Sequence, residues 1–206
     1  MERKRMVLAT SNLGKVREIS KIIGDIVELV PFDGEMPEET GSTYSENAFI
    51  KAKAAFDKYG IASLADDSGL EVDYLGGQPG IFSNRFMNLK TDKEKYMKIL
   101  ELMQGVPWEK RTARFHTVVC FIHDEGKSHF FEGIVEGFIA NEPAGSNGFG
   151  YDPIFYYPPL NKHFAELDAE EKNEVSHRSR AFLKFKEFYT GVLEAKQTKG
   201  GENYER

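Results

Sequence analysis

Apolar positions along the 206-residue chain recur with two periods, about two and about 3.6 residues, and the switches between them mark out the elements. A short apolar run from Arg5 to Ala9 predicts a strand, and Thr10-Ser11-Asn12 follows it. Leu13, Val16, Ile19 and Ile23 share one face of a predicted helix over Leu13 to Ile23, with Ser11 or Asn12 as its cap. A second strand is predicted over Val27 to Val30, ending at Pro31. The acidic, turn-rich stretch from Phe32 to Gly41 reads as a loop. Ser42 or Thr43 then caps a long helix to about Tyr59, with Phe49, Ala52, Phe56 and Tyr59 as its apolar stripe. Ile61 to Ala65 reads as a strand that ends at Asp66-Asp67, and a further short strand is expected at Leu70 to Val72.

Asp92 opens an amphipathic helix to about Met103. Thr112 to His123 and Ser128 to Gly137 alternate as two strands, and Asp124-Glu125-Gly126 between them predicts an antiparallel hairpin. A glycine-rich loop, Gly145 to Asp152, precedes a short strand at Pro153 to Tyr156. Helical pattern runs from about Asp168 to Leu193, with Phe182, Phe185 and Tyr189 on one face. From Lys196 the chain is a polar tail, read as flexible. Early strand–helix–strand alternation followed by a hairpin predicts an α/β fold, a mixed sheet flanked by helices. Residues 1–195 read as one domain.

Composition narrows the function classes. The chain carries 27 Lys and Arg against 33 Asp and Glu, a net charge of −6, and shows no basic stripe. Tight binding of a nucleic acid polymer needs rows of cations, so that class is disfavoured, while a small polyanion remains within reach of a few lysines. Sixteen Phe and nine Tyr argue for a packed core rather than disorder. Cys120, the one cysteine, lies in the apolar run Val118 to Ile122 and reads as a small core residue, with a Cys–His nucleophile beside His116 the weaker alternative. No signal peptide or membrane span is read, and the single thiol fits a reducing compartment, so a cytoplasmic location is expected.

Five segments carry candidate chemistry. Thr10-Ser11-Asn12-Leu13-Gly14-Lys15 sits where a strand meets a helix, and a helix start offers free N–H groups and a positive dipole end to phosphate. It is not a Walker A loop, and an ordinary capped helix explains it equally well. Glu38-Glu39-Thr40-Gly41 precedes a helix bearing Asn47, Lys51 and Lys53, a pattern that suits a metal beside phosphate or simply a solvated loop. Asp66 and Asp67 in Ala65-Asp66-Asp67-Ser68-Gly69, placed at a strand end, suit Mg²⁺, and an Asx-turn is the bland alternative. Phe149 between Gly148 and Gly150 suits stacking on a base or plugging the core, and Lys172 with Ser176-His177-Arg178 suits a base edge or a phosphate, or simply a helix-capping Ser with charged neighbours. The histidines at 116, 123, 129 and 163 show no metal-ligand spacing.

Taken together these segments, with Ser45-Glu46-Asn47-Ala48 and Leu75-Gly76-Gly77-Gln78-Pro79-Gly80, resemble the inosine triphosphate pyrophosphatase family in order and across about Val7 to Tyr189. Ser11 departs from the family, which often has Gly there. The resemblance implies hydrolysis of dITP, ITP and XTP to the monophosphate and pyrophosphate, dependence on Mg²⁺, a homodimer, and an elongated fold of two lobes with the cleft between them. It also implies roles. Glu38 and Asp67, with Asp66 in support, hold the metal. Asp67 directs the attacking water, and Lys51 is the second catalytic group. Ser11, Asn12 and Lys15 grip the phosphates with Lys51 and Lys172. Phe149, Asp152, His177 and Arg178 take the base, and Thr10, Leu13, Gly14, Ser68, Gly150 and Tyr151 are further substrate-binding residues. A pyrophosphatase of similar fold acting on modified pyrimidine or canonical nucleotides, and a non-catalytic nucleotide-binding protein, are the alternatives.

Overall fold

The computed structural model describes residues 3–123 and 126–201, with side chains as far as residue 192. The elements run β1 (Lys4–Leu8), α1 (Leu13–Ile23), β2 (Val27–Pro31), α2 (Tyr44–Tyr59), β3 (Ser63–Val72), α3 (Asp92–Leu102), β4 (Thr112–His123), β5 (Lys127–Ile139), β6 (Phe155–Tyr157), β7 (Lys162–His163), α4 (Ala169–Val175) and α5 (His177–Gly201). The strands form one mixed seven-stranded sheet in the order β2-β1-β3-β4-β5-β6-β7. β1 pairs in parallel with β2 and β3, and every later pairing is antiparallel. Asp124 and Glu125 of the predicted hairpin turn lie outside the described residues, as do residues 202–206 of the predicted tail.

Strand alternation sorts the side chains of the central sheet into two layers. Met6, Leu8, Leu64, Val119 and Phe121 face α1 and α5, where Ile19, Ile23, Phe182 and Phe185 cover them. Val7, Ala9, Ala65, Cys120 and Ile122 face α2, which meets them with Ala48, Ala52 and Ala55. Small residues on both sides bring α2 close to the sheet. A third core lies toward the other end of the molecule, where Leu70, Phe115, Val135, Phe155 and Phe164 pack with Ile99 of α3 and with Met103 just after it. Burying a Phe fully contributes about 1.5–3 kcal/mol, so this aromatic group anchors the end that carries few helices. Burial raises the Cys120 thiol to about 12, which leaves it protonated and removes the nucleophile alternative.

Four differences from the sequence reading bear on function. β3 runs unbroken through Asp66-Asp67-Ser68-Gly69, because β4 pairs with every residue from Ser63 to Val72. The strand therefore neither ends at the acidic pair nor turns there. On α2 the buried face carries Asn47 and Lys51 beside its alanines, while Phe49 of the expected stripe is 36% exposed. Leu13 is 71% exposed, so α1 packs through Ile19, Ile22 and Ile23. The last helical stretch breaks at Ser176, whose extended backbone ends α4 and whose hydroxyl accepts the Ser179 N–H at the start of α5. α5 itself continues to Gly201, through the first residues of the predicted tail.

Candidate active site

The site begins with a mismatch of strand lengths. β1 pairs with β3 only at Ser63 and Leu64, the last bond being Ala9 N–H to the Leu64 carbonyl. At the far side the Leu70 N–H donates to Ser83 Oγ. Between these points, among the described residues, no strand covers that edge of β3. Alternation turns the backbone groups of Asp66 and Ser68 to the same edge as those of Leu64 and Leu70. A cavity of about 420 Å³ opens there, lined by Thr10, Lys15, Lys51, Asp67, Ser68, Phe149 and His177 among others. Gly69 keeps its far wall close, since a Cβ there would stand 2.2 Å from the Gly80 carbonyl oxygen.

Asp66 and Asp67 point to opposite faces of the sheet. Asp66 turns to the α1/α5 side, fully buried, with Lys15 Nζ at 2.8 Å, Arg178 Nε at 3.4 Å and the Ser68 hydroxyl donating at 2.7 Å. Burial alone would raise this carboxyl, but Lys15 and Arg178 outweigh it and hold the group well below the ordinary carboxylate range. Asp67 turns to the α2 side. There Asn47 Nδ2 donates to Oδ2 at 3.1 Å, and Lys51 Nζ lies 3.4 Å from Oδ1. Lys51 is nearer to Glu39, at 2.7 Å, and Arg85 holds that same glutamate at 3.0 Å. Burial, reinforced by the negative charge of Glu39 and opposed by Lys51, leaves Asp67 above its ordinary value.

The cavity's other end is built on the break between α4 and α5. Lys172, in the last turn of α4, meets Asp152 at 2.5 Å and Glu18 of α1 at 2.8 Å. Glu18 also takes Arg178 Nη1 at 2.5 Å, so one chain of alternating charge runs from Lys15 through Asp66, Arg178, Glu18 and Lys172 to Asp152. Asp152 in turn accepts the Phe149 N–H at 2.9 Å. The Phe149 ring lies under the Lys172 ammonium and the Arg178 guanidinium, 4.9 and 5.4 Å from its centroid. It also reaches Gly14, where a Cβ would come within 2.7 Å of the ring. Burial first, then the cations Arg178 and Lys172, drive His177 well below the usual imidazole value and leave it neutral. Its ring stacks on Phe115 with centroids 4.7 Å apart, and its buried Nδ1 has no partner among the described residues.

A family model for the Ham1 family matches residues 6–188, nearly the whole chain. The chain belongs to the Ham1 family. It is 48% identical over 195 residues to a protein of Dictyoglomus thermophilum named dITP/XTP pyrophosphatase, covering 91% of this chain and 95% of that one. A protein of the same name from Halalkalibacterium halodurans is 46% identical over 184 residues, covering 86% and 95%. Among solved structures, a HAM1 protein from Coxiella burnetii superposes with a TM-score of 0.83 at 40% identity, covering 91% of this chain and 99% of that one. The Ham1 protein of Staphylococcus aureus gives 0.81 at 38%, covering 92% and 100%.

This Ham1 chain brings most of the residues singled out from sequence to one cavity. Thr10, Ser11, Asn12, Lys15, Lys51, Asp67, Ser68, Phe149, Gly150, Tyr151, Asp152, Lys172, His177 and Arg178 all line it. Four sit elsewhere. Leu13 is exposed, Gly14 supports Phe149 from beneath, and Asp66 lies behind the wall with its charge already matched. Glu38 is exposed, because Lys51 and Arg85 draw the neighbouring Glu39 inward instead. The chemistry of the donor set fits a hard divalent cation at the Asp67 end. Two like charges share one lysine there, and Mg²⁺ takes one or two carboxylates and completes its shell with water and phosphate oxygens. No group of three His, Cys, Asp or Glu gathers among the described residues. Sequence reasoning missed Glu18, Arg85, Asp92 and Lys95, and within the acidic loop it gave the ligand role to Glu38 and not to Glu39. Only Glu18 carried a usable signal, since it stands one turn after Lys15 on the same helix face. The histidines at 116 and 163 are held by Glu71 and Glu132, and by the Pro153 carbonyl.

Proposed function

We propose that this protein hydrolyses the non-canonical purine nucleoside triphosphates dITP, ITP and XTP to the monophosphate and pyrophosphate, with Mg²⁺. The observation that carries this reading is the polarity of one cavity. One end gathers Lys15, Lys51 and an uncovered strand edge around Asp67, and the other offers an aromatic ring and a neutral imidazole. The names of the relatives, dITP/XTP pyrophosphatase, support the same substrate class.

Asp67 and the Glu38–Glu39 step of the acidic loop would hold the metal, Glu39 being the carboxylate that already faces Asp67. Mg²⁺, when bound, supplies positive charge to the phosphate oxygens. Asp67 orients a water and accepts its proton as the water oxygen attacks the α-phosphorus. The bond to the bridging oxygen breaks and pyrophosphate leaves. A carboxylate raised by burial suits this work, because a base is most effective when its pKa approaches the working pH. Thr10, Ser11, Asn12 and Lys15 hold the phosphates from the α1 start, with Ser68 on the open edge and Lys51 beside Asp67. Asn47 keeps the Asp67 carboxylate aimed and also accepts the Gly41 N–H, so acidic loop and base move together.

Phe149 stacks on the purine, and the donors at His177 and Arg178 suit a 6-oxo group over a 6-amino group. Asp152 acts through Lys172 and the Phe149 backbone, which it holds in place. The reading extends, on the family resemblance, to a homodimer working in the cytoplasm, which light scattering and cell fractionation test. The deciding assay is hydrolysis of dITP, dXTP, dGTP and dATP with and without Mg²⁺, with products resolved by chromatography. The expected outcome is Mg²⁺-dependent release of pyrophosphate from dITP and dXTP. Release of orthophosphate, or equal rates on all four, overturns the reading.

A further inference from the structure

One charged group of the cavity wall has no part in the scheme above. Lys95, near the start of α3, is 7% exposed and lines the cavity. Its ion-pair partner is Asp92, with Nζ 3.6 Å from Oδ1, beyond hydrogen-bond reach. The other lysines of the wall are matched more closely, Lys15 by Asp66 at 2.8 Å, Lys51 by Glu39 at 2.7 Å and Lys172 by Asp152 at 2.5 Å. Buried Arg111, outside the wall, is met by backbone carbonyls, those of Met103 and Ala140 at 2.7 and 2.6 Å. An ammonium withdrawn from water with its donors unspent is costly, and a bound acceptor removes that cost.

Position says which acceptor. The second oxygen of Asp92 accepts the Gly150 N–H at 2.7 Å, which ties Lys95 to the base loop. Lys95 stands on α3, whereas Lys172 stands on α4 and His177 and Arg178 on α5, and all four line the one cavity. A purine whose 6-oxo edge faces His177 and Arg178 turns its 2-position away from them, across N1. We infer that Lys95 reads the 2-position of the purine and makes this chain a xanthine-favouring, guanine-rejecting enzyme. The inference rests on the proposed function and sharpens its substrate class. An ammonium donates and never accepts. It meets the 2-oxo group of xanthine with a charge-assisted bond, is indifferent to the 2-hydrogen of hypoxanthine, and sets donor against donor at the 2-amino group of guanine.

The test compares wild type with Lys95→Met, which keeps the stem and removes the donors, on dXTP, dITP and dGTP. The dXTP-to-dITP ratio of kcat/KM is expected to fall roughly tenfold or more, the scale of one hydrogen bond to a charged group. The dGTP-to-dITP ratio should rise while the rate on dITP holds. Lys95→Gln, whose carbonyl accepts from a 2-amino group, should raise dGTP further, and it serves if the Met variant does not fold. A uniform loss on all three, or ratios within about twofold of wild type, overturns the inference, because a structural role moves every substrate alike. Calorimetric binding of XMP, IMP and GMP keeps the two readings apart. A wild type that hydrolyses none of the triphosphates overturns the proposed function, whereas XMP binding no tighter than GMP overturns the role of Lys95.

Discussion

The two faces of β3 treat neighbouring carboxylates in opposite ways. On the α1/α5 face Lys15, Arg178 and Ser68 converge on Asp66 Oδ2, so its charge is matched and part of the architecture, although Oδ1 is buried with no hydrogen-bond partner among the described residues. On the α2 face Asp67 shares Lys51 with Glu39, and burial leaves it reluctant to ionise. One residue of offset in a strand thus separates a structural anion from a chemically available one. Adjacency in sequence says nothing of shared chemistry when the backbone alternates.

The sharpest way to break this comparison is to neutralise each member in turn. Asp67→Asn is expected to lower kcat by roughly 10²–10⁴, the worth of a positioned base. Its melting temperature should hold or rise at neutral pH. The sign follows from the raised pKa, since the folded state binds that proton more tightly than the unfolded state. The associated stability is therefore present at low pH and lost as pH climbs from the ordinary carboxylate value through the raised one. Asp66→Asn should do the reverse first, costing about 3–5 kcal/mol in denaturant unfolding because two buried cations lose their partner. If the two variants melt alike, the division between the faces is wrong.

A smaller effect tests the contact between the two ends of the cavity. Gly14→Ala drives a methyl into Phe149 and should cost about 1–3 kcal/mol of overpacking, read as a raised KM for dITP. The last change removes the charge that sets Asp67 apart together with one proposed metal ligand, so its readout is the position of the acid limb and not the size of the rate. Glu39→Gln removes the like charge and frees Lys51 for Asp67, so the Asp67 pKa falls. Activity requires the ionised form and is lost as pH drops through that pKa. The acid limb of kcat/KM is therefore expected to move to lower pH, and a limb that stays put or moves up refutes the coupling.

Much of this was legible in the sequence, and the failures share a cause. The α/β class, the β4–β5 hairpin and the starts of α1 to α4 followed from period and caps, which are local, whereas the break at Ser176 that starts α5 did not. Asp66-Asp67-Ser68-Gly69 misled because its residue types favour turns, while pairing to β4 along its whole length overrides that preference. The inward face of α2 was misjudged because two polar residues are buried on it, Lys51 lining the cavity and Asn47 holding Asp67. Glu39 was passed over for Glu38 because the cations that select it, Lys51 and Arg85, stand 12 and 46 residues away. Function inverted the hydrophobic rule at the places where it mattered most.

The shortness of β1 has one more consequence. Five uncovered residues at about 3.3 Å each make a gap of roughly 16 Å beside β3. The length of the site is thus set by two stops, β1 ending against Leu64 and Ser83 meeting the Leu70 N–H. Such a ruler can be reset. Extending β1 by a residue pair would complete more of the ladder, strengthen the sheet and shorten the molecule it admits. A change selected for stability alone would, at this one place, erase the reason for the fold.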